Sequence, residues 1–286
     1  MVLISRWRFV GYALVYAAFA FLCFITLANE DGIGLGRRPW ENIKRTATDM
    51  AHPSFLDAWF GAERLEYKDA QGKVLRVENR REVETKFLRG LASAVWTTLR
   101  IATLGTLLAG LAALPLGFLA ARNLAAPRIL SIPAKLALDA TRAIHTLVFG
   151  LLLVGIVGLG PTAGILAIAI HSMGSFGKLY AEAIESLDMA AIDAVRAVGA
   201  RPLQVFFLGV WPAILPQLIS IHFYVWEFNI RDSTVLGLVG AGGLGLLVSE
   251  ATSLFQWSRL ATILIVIVAA VMGFDSLSRA IRRRLV

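Results

Sequence analysis

The sequence predicts an all-α integral membrane protein with about six transmembrane helices, and three observations support that fold class. Hydrophobic residues make up 57% of the 286 residues and charged residues only 17%, whereas soluble domains average roughly 45–50% and about 25%. The mean hydropathy is +0.68. The apolar residues are concentrated in runs of about 20 residues, the length that crosses a bilayer, and basic residues flank these runs.

Six apolar runs are predicted to span the membrane. They cover approximately residues 9–28, 92–121, 137–158, 161–177, 205–228 and 257–277. The first run resembles a signal peptide because the "TLA" ending at Ala28 is similar to a cleavage site, but the run is longer than the roughly 7–15 residues usual for such a region. We therefore favour a retained N-terminal helix over 1–28, a polar external segment over 29–91 and a core domain of five spans over 92–286.

The distribution of basic residues predicts which side of the membrane each end faces. Arg6 and Arg8 precede the first span, and four arginines follow the last span over 279–284. The short segments 122–136 and 178–204 also carry basic residues. Because positive charge accumulates on the cytoplasmic side, both termini and both segments are predicted to be cytoplasmic. No basic face on a soluble module is visible, which argues against nucleic-acid binding.

The external segment 29–91 contains nearly equal numbers of acidic and basic residues. Its stretch "YKDAQGKVLRVE" predicts a turn or hairpin with Gly72 at the tip. The only cysteine of the chain, Cys23, lies inside an apolar run, so neither a disulfide framework nor a cysteine metal site is available.

The second span carries a face of small residues, in which Gly105, Ala109, Ala113 and Gly117 recur at four-residue steps. Small residues at that spacing allow another helix to approach closely. Arg100 in the same span either snorkels to the outer interface or faces a pore.

The cytoplasmic stretch between the fourth and fifth spans predicts a short helix over about 189–198. Gly199 occupies a C-terminal capping position, and Pro202 follows it. A short, well-capped helix between two membrane helices is suited to present a surface to a partner, whereas the alternative is an ordinary interhelical loop. About 25 residues of helix-forming sequence favour the partner surface. Lys178, at the inner end of the fourth span, is interpreted as an interface anchor.

Two charged residues of the fifth span are predicted to lie side by side. Glu227 and Arg231 are four residues apart, so a helix places them together, and intramembrane charges usually face the bundle interior. The pair either fixes the helix geometry, or Arg231 lines the path of a small oxyanion. In the second case its neighbours on the path are Asn229, Ser233 and Thr234.

Three histidines, His145, His171 and His222, suggest a metal site or a proton relay at first sight. They lie on different spans, and no two of them have ligand spacing on one helix. A packed, hydrogen-bonded histidine is therefore the favoured interpretation for each.

Three glycines near the C-terminus, Gly240, Gly242 and Gly245, have the G-x-G-x-x-G spacing of a dinucleotide-binding turn. That fold needs an acid about 20 residues beyond the glycines, and Glu250 comes too early and Asp275 too late. The chain also lacks a Walker A sequence and a G-x-S-x-G elbow, so it is not expected to be an enzyme. The glycines instead predict a re-entrant turn, packed against protein or forming an outer gate.

The cytoplasmic stretch "DAVRAVGARPLQVFFLGVWP" resembles the EAA loop of ABC importer permeases. Asp193 stands for the Glu of that pattern, Ala194 for its first Ala and Gly199 for its Gly. Pro212 stands for its Pro. The departures from the pattern are Val195, Gly209 and Trp211.

Three further stretches, "GTLLAGLAALPLGFLAARN", "HSMGSFGKLYAEAIE" and "WEFNIRDSTVLGLVGAGGLG", are similar to the phosphonate-uptake permeases and their phosphite-transporting relatives. The resemblance covers roughly 90–286 and includes His171, which is therefore the histidine that we single out for testing. It departs at His145–Thr146, where many relatives carry Pro-Glu, and this departure leaves the substrate preference open.

The resemblance implies a type I ABC importer permease fold with a cytoplasmic coupling helix in the loop 181–212. It implies a second permease copy (a homodimer), two cytoplasmic ABC ATPase subunits, a periplasmic substrate-binding protein and surrounding membrane lipid. The chain would be a multi-pass protein of the bacterial inner membrane, with 29–91 in the periplasm. It would hold no cofactor and catalyse no reaction, because the partner ATPase hydrolyses ATP. The solute would be phosphonate, phosphite or a related small phosphorus oxyanion.

Two sets of residues are expected to serve these functions. Coupling to the ATPase is expected at Asp193, Ala194, Arg196, Gly199 and Arg201. The translocation pathway or gate is expected at Trp226, Glu227, Asn229, Arg231, Ser233, Thr234, Gly240, Gly242 and Gly243. Two alternatives are a permease for a different small anion or solute, and a stand-alone channel or secondary transporter, which gives no reason for the loop at 189–212.

Overall fold

The computed structural model describes residues 2–29, 38–60, 64–68, 74–123 and 127–283. The chain divides into two compact units, 1–49 and 50–286. The first unit contains helix α1, Val2–Asn29, and most of the amphipathic helix α2, Pro39–Met50. All the elements that follow belong to the second unit.

The second unit begins with three short elements. They are α3 (Phe55–Phe60), β1 (Arg64–Lys68) and β2 (Val74–Asn79). The strands pair antiparallel, which confirms the predicted hairpin, whereas its predicted tip, Gly72, lies outside the described residues. The Asn79 side chain then accepts a hydrogen bond of 3.1 Å from Arg81 N and caps the next helix.

Helix α4, Arg80–Ala120, is 41 residues long and therefore begins well before the predicted residue 92. The predicted face of small residues is confirmed, because Gly105, Ala109, Ala113 and Gly117 are all buried. An added Cβ at Gly105 would lie 2.7 Å from the Ile168 side chain, so only a residue without a side chain permits Ile168 to approach this closely.

The span predicted over 137–158 is broken in the middle. Helix α5, Arg128–Ala143, and helix α6, Thr146–Val157, meet at an angle of 90°. His145 caps α6, since its Nδ1 accepts a hydrogen bond of 3.2 Å from Leu147 N. A polar side chain, that of His145, therefore lies at the break between α5 and α6.

The central helices are longer than predicted. Helix α7 extends over Pro161–Glu185, and α8 (Met189–Ala197) and α9 (Pro202–Val205) follow it. After a π-helical turn, Phe206–Val210, helix α10 covers Trp211–Leu236. Because α10 continues past the predicted end at 228, Ser233 and Thr234 are helical rather than part of the glycine turn.

The glycine segment is followed by a helix that the sequence pattern does not predict. A π-helical turn, Gly237–Ala241, leads to α11, Leu244–Ser253, and only then to α12, Trp257–Arg282. The short helix α11 packs against α10, α12 and α4, so the segment between α10 and α12 is folded against the helix bundle.

By length and apolar composition, the described residues contain four helices that can cross a membrane, or five if the bent pair α5–α6 counts as one span. The expected number was about six. The additional predicted span, 161–177, lies in α7. This helix is too polar to be counted among the membrane-crossing helices. Helix α7 packs against α4, α5, α6 and α10, so most of its surface meets protein, where small and polar residues are favoured over lipid-facing apolar ones.

Candidate functional site

Helix α8 is held at one side and exposed over the rest of its surface. Asp188 caps it by accepting a hydrogen bond of 2.9 Å from Ala190 N. Ile192 is its only buried residue and packs in the same apolar cluster as Val205 and Val210 of the following helical turns. Gly199 has a φ of +82° with open space around it, so its glycine is required by the backbone turn rather than by crowding.

The residues expected to couple to a partner lie on the exposed part of this loop. Asp193 accepts a hydrogen bond of 3.0 Å from Arg196, and both side chains are more than half exposed. Ala194 is exposed, and so is Arg201, whose backbone N–H donates to the Gln204 side chain at 2.8 Å. The loop therefore presents a polar surface that no other described part of the chain covers.

Asn229 of α10 connects three helices at the centre of the bundle. Its Nδ2 donates to Thr106 Oγ1 of α4 at 2.8 Å, and its Oδ1 accepts from Ser172 Oγ of α7 at 2.9 Å. Asn229 is only 2% exposed. In this position the amide satisfies two buried hydroxyl groups and fixes the spacing of α4, α7 and α10.

Asn229→Ala is expected to lower the free energy of unfolding by about 1–3 kcal/mol, because Ser172 and Thr106 each lose a buried partner. Thermal unfolding of the detergent-solubilised chain measures the effect. The control is Ser276→Ala, which removes an exposed hydroxyl that bonds only within its own helix, to Met272 O and Arg279, and should leave the melting temperature unchanged. Equal melting temperatures for Asn229→Ala and the wild type would contradict a structural role.

The other polar residues predicted on α10 divide into two groups. Trp226 Nε1 donates to Thr103 Oγ1 of α4 at 3.0 Å. Ser233 and Thr234 instead donate to Ile230 O of their own helix, at 2.8 and 3.3 Å, and Ser233 is fully buried. The Ser233 hydroxyl is therefore bonded within its own helix and is closed off inside the bundle.

The predicted pair Glu227–Arg231 is part of a larger charge cluster between α10 and α12. Arg231 lies 2.8 Å from Glu227 and 3.5 Å from Asp275, and Arg282 donates to the other Glu227 oxygen at 3.2 Å. Sequence reasoning missed Asp275 and Arg282 as members. Asp275 is the only acid in the sixth predicted span, and an acid in an apolar run was the available signal.

The histidines have ordinary partners. His171 Nδ1 bonds to Ile144 O at 2.8 Å, and its ring centre lies 6.3 Å from that of His145. His222 stacks on Phe176 with ring centres 5.6 Å apart. Among the described residues, no group of three or more His, Cys, Asp or Glu side chains is arranged to hold a metal ion.

A cleft of about 320 Å³ opens between α5, α7 and α10. It brings together three residues predicted separately, His171, Lys178 and Asn229, and adds Arg142 and Asp232, which sequence reasoning missed. Asp232 accepts a hydrogen bond of 2.8 Å from Thr146 of α6. The cleft thus brings two cations, a carboxylate and hydroxyl groups together, with apolar side chains between them.

The glycine turn closes against the chain's own helices. Gly240, Gly242 and Gly243 have φ values of +95°, +86° and +71°, a region in which side chains are strained. Gly240 O accepts from Gly160 N at 2.9 Å, at the start of α7, and Leu244 N donates to Thr98 Oγ1 of α4 at 2.9 Å. These contacts place the turn against α4 and α7.

Solved membrane subunits of ABC importers have the same arrangement of helices. The inward-facing MetNI methionine ABC transporter matches with a TM-score of 0.63 over 70% of this chain and 98% of that chain, at 22% identity. The fold is therefore that of an ABC importer permease.

The chain belongs to the family of binding-protein-dependent transport system inner membrane components, which it matches over residues 113–286. The phosphite transport system permease protein PtxC of Stutzerimonas stutzeri is 40% identical over 186 residues, which are 65% of this chain and 68% of that protein. The phosphate-import permease protein PhnE of Mycolicibacterium smegmatis is 39% identical over 186 residues, 65% of this chain and 35% of that protein. The resemblance found in the sequence is thereby confirmed.

Proposed function

We propose that this chain is the membrane-spanning permease subunit of an ATP-driven importer that moves phosphite, phosphonate or a related small phosphorus oxyanion. A periplasmic binding protein delivers the anion, and a partner chain hydrolyses ATP. The observation that carries the proposal is α8, a capped helix that is anchored through Ile192 and exposes Asp193 and Arg196. Such a helix between two bundle helices can transmit the movement of a docked ATPase to α7 and α10.

The proposed solute follows from the relatives and from the chemistry of the cleft. A permease named for phosphite transport is 40% identical, and one named for phosphate import is 39% identical. The cleft offers Arg142, Lys178 and hydroxyl groups, which are suitable donors for a phosphorus oxyanion. We place the pathway beside Asn229 and Trp226 and assign the glycine turn to the outer gate.

The same proposal defines the partners and the orientation. Two copies of the chain form the pore, two ATPase subunits dock on the α8 surfaces, and both termini lie in the cytoplasm of the bacterial cell. The segment 29–91 contacts the binding protein. Deletion of the β1–β2 hairpin within this segment should leave basal ATP hydrolysis intact and remove the stimulation by the loaded binding protein.

Reconstitution in proteoliposomes with the cognate ATPase and binding protein tests the function. Phosphite uptake should require both ATP and the binding protein, and calorimetry on the binding protein with a panel of phosphorus oxyanions should identify the preferred solute. Phosphite transport by the isolated chain without ATP would contradict the proposal in favour of a channel. A binding protein that ignores every phosphorus compound would contradict the proposed solute.

Asp193→Ala is expected to lower ATP-dependent uptake by about tenfold or more, because a charged contact that transmits force is lost. The amount of chain in the membrane should not change, since Asp193 is exposed and its only partner within the described residues is Arg196. Uptake and co-purification of the ATPase are measured together. The control is Glu250→Ala, which removes an exposed carboxylate of α11 and should leave both unchanged; equal losses in the two variants would contradict the assignment.

A further inference from the structure

A second cleft continues the first one along α7. It has a volume of about 250 Å³ and lies between α5, the end of α4 and the last turns of α7. Arg142 and Lys178 line both clefts. These two cations therefore stand where one cleft passes into the other.

The residues that α7 contributes to the two clefts lie on a single face of the helix. His171, Ser175, Lys178, Glu182 and Glu185 follow one another at steps of four and three residues, which is the spacing of one helix stripe. At 1.5 Å per residue this stripe is about 21 Å long, more than half of a hydrocarbon core of about 30 Å.

Helix α5 supplies the facing stripe and is held against α7 by glycines. Lys135, Asp139 and Arg142 line the clefts at steps of four and three residues. An added Cβ at Gly174 would lie 2.7 Å from Arg142 N, and one at Gly177 would collide with Leu138. The two polar stripes are therefore fixed next to each other by direct backbone contact.

The two cations shared by the clefts each have an acidic partner on their own helix, rather than a bond from α5 to α7. Arg142 pairs with Asp139 at 2.7 Å, and Lys178 lies 3.6 Å from Glu182. The Arg142 and Lys178 side chains are 39% and 49% exposed. Both cations can therefore turn to an anion in the cleft without breaking a contact that holds α5 to α7.

A surface of this kind is costly next to lipid tails. Charged groups within a membrane usually face the bundle interior or a water-filled cavity. The two adjacent clefts contain Arg142 and Lys178, with a buried amide at one end. We therefore expect them to line a water-filled route rather than to face lipid.

We propose that the two clefts form one transit path for a phosphorus oxyanion, and that Arg142 and Lys178 are the cationic step between them. This inference rests on the proposed function and specifies its inner pathway. The anion leaves the hydroxyl and amide groups beside Asn229, binds briefly at the two cations and continues towards Arg122 and Lys135 at the α8 end of the bundle. Asp139 and Glu182, which pair with Arg142 and Lys178, compete with the anion for these two cations, so the anion is released rather than trapped, as conduction requires.

The first test uses the reconstituted complex and the double variant Arg142→Gln/Lys178→Gln. Phosphite uptake should fall by about tenfold to hundredfold, the effect of losing hydrogen bonds to charged groups, while ATP hydrolysis stimulated by the binding protein persists. The matched control is Arg279→Gln, which removes an exposed cation at the end of α12 and should keep wild-type uptake. If the wild type moves phosphite and the double variant moves it equally fast, the path is wrong and the proposed function stands. If the wild type moves no phosphorus oxyanion, the proposed function itself fails.

The second test does not depend on transport or on the stability of the double variant. Ser175 lines the first cleft one turn before Lys178, and Cys23 is the only natural cysteine. In a Cys23→Ser background, Ser175→Cys should react about tenfold faster with an anionic than with a cationic methanethiosulfonate reagent of similar size, because the neighbouring cations attract negative charge. Phosphite should slow the anionic reaction. Equal rates for the two reagents would overturn the proposal.

The phosphate group of a lipid could bind the same cations as the proposed solute. Vesicles of different lipid composition distinguish these two ligands. The labelling is repeated in phosphatidylcholine vesicles with and without phosphatidylglycerol. Protection by added phosphite in pure phosphatidylcholine supports a path for the free anion. Protection that requires phosphatidylglycerol and ignores phosphite would make the clefts a lipid headgroup site and would overturn the proposal.

Discussion

Gly245→Ala is expected to prevent the chain from folding to its native packing, with a loss of at least about 3 kcal/mol, the upper end of overpacking costs. An added Cβ at Gly245 would collide with Thr234 O and would lie 2.7 Å from Gly237 Cα. Both neighbours are backbone atoms of α10 and its last turn, so no side chain can move aside. The fraction of monodisperse protein after solubilisation and its melting temperature measure the loss.

Gly273→Ala is the matched control for this prediction. Gly273 lies within α12, and an added Cβ there meets nothing within 4 Å. Alanine is a better helix former than glycine by roughly 0.5–1 kcal/mol, so this variant should be as stable as the wild type or slightly more stable. A Gly245→Ala protein that folds and melts like Gly273→Ala would show that α10 and α11 can separate without cost.

Arg231→Met is expected to destabilise the contact between α10 and α12 and to lower the yield of assembled complex. Removal of Arg231 takes from Asp275 its only cation within the described residues, whereas Glu227 keeps Arg282. Breaking a buried ion pair costs about 3–5 kcal/mol and an exposed pair at most about 1 kcal/mol. Arg231 is 43% exposed and Asp275 24%, so we expect a loss between these values.

The double variant Arg231→Met/Asp275→Asn separates the two interpretations of this cluster. If the cluster is structural, neutralising Asp275 as well should restore a large part of the melting temperature and of the assembled complex. If Arg231 instead contacts the solute, Arg231→Met should assemble with normal basal ATP hydrolysis and lose uptake, and the second substitution should restore nothing. Melting temperature, co-purification and uptake on the same preparations decide between these outcomes.

The sequence alone determined the features that depend on local chemistry. Runs of apolar residues identified α1, α4, α10 and α12, because a helix in lipid must be apolar over a fixed length. Gly199 and the polar turns around it identified α8 for a similar reason, since helix ends require particular capping residues. The spacing of Glu227 and Arg231 predicted their contact, because residues four apart on one helix are neighbours whatever the rest of the chain does.

The tertiary structure decided the features that depend on which helices meet. Nothing in the run 137–158 indicates the 90° break, because His145 acts as a cap only once α6 turns away from α5. The sequence did not predict helix α11, because the glycines at its start are equally typical of a turn.

The same dependence on helix packing applies to the sites. Asp275 reaches Arg231 only because α12 packs against α10. Arg142 reaches the cleft of Lys178 only because Gly174 and Gly177 let α5 lie directly on α7. Spacing along one helix fixes which residues share a face, whereas contacts between helices depend on close approach of side chains far apart in the sequence, and that information is present only in the folded chain.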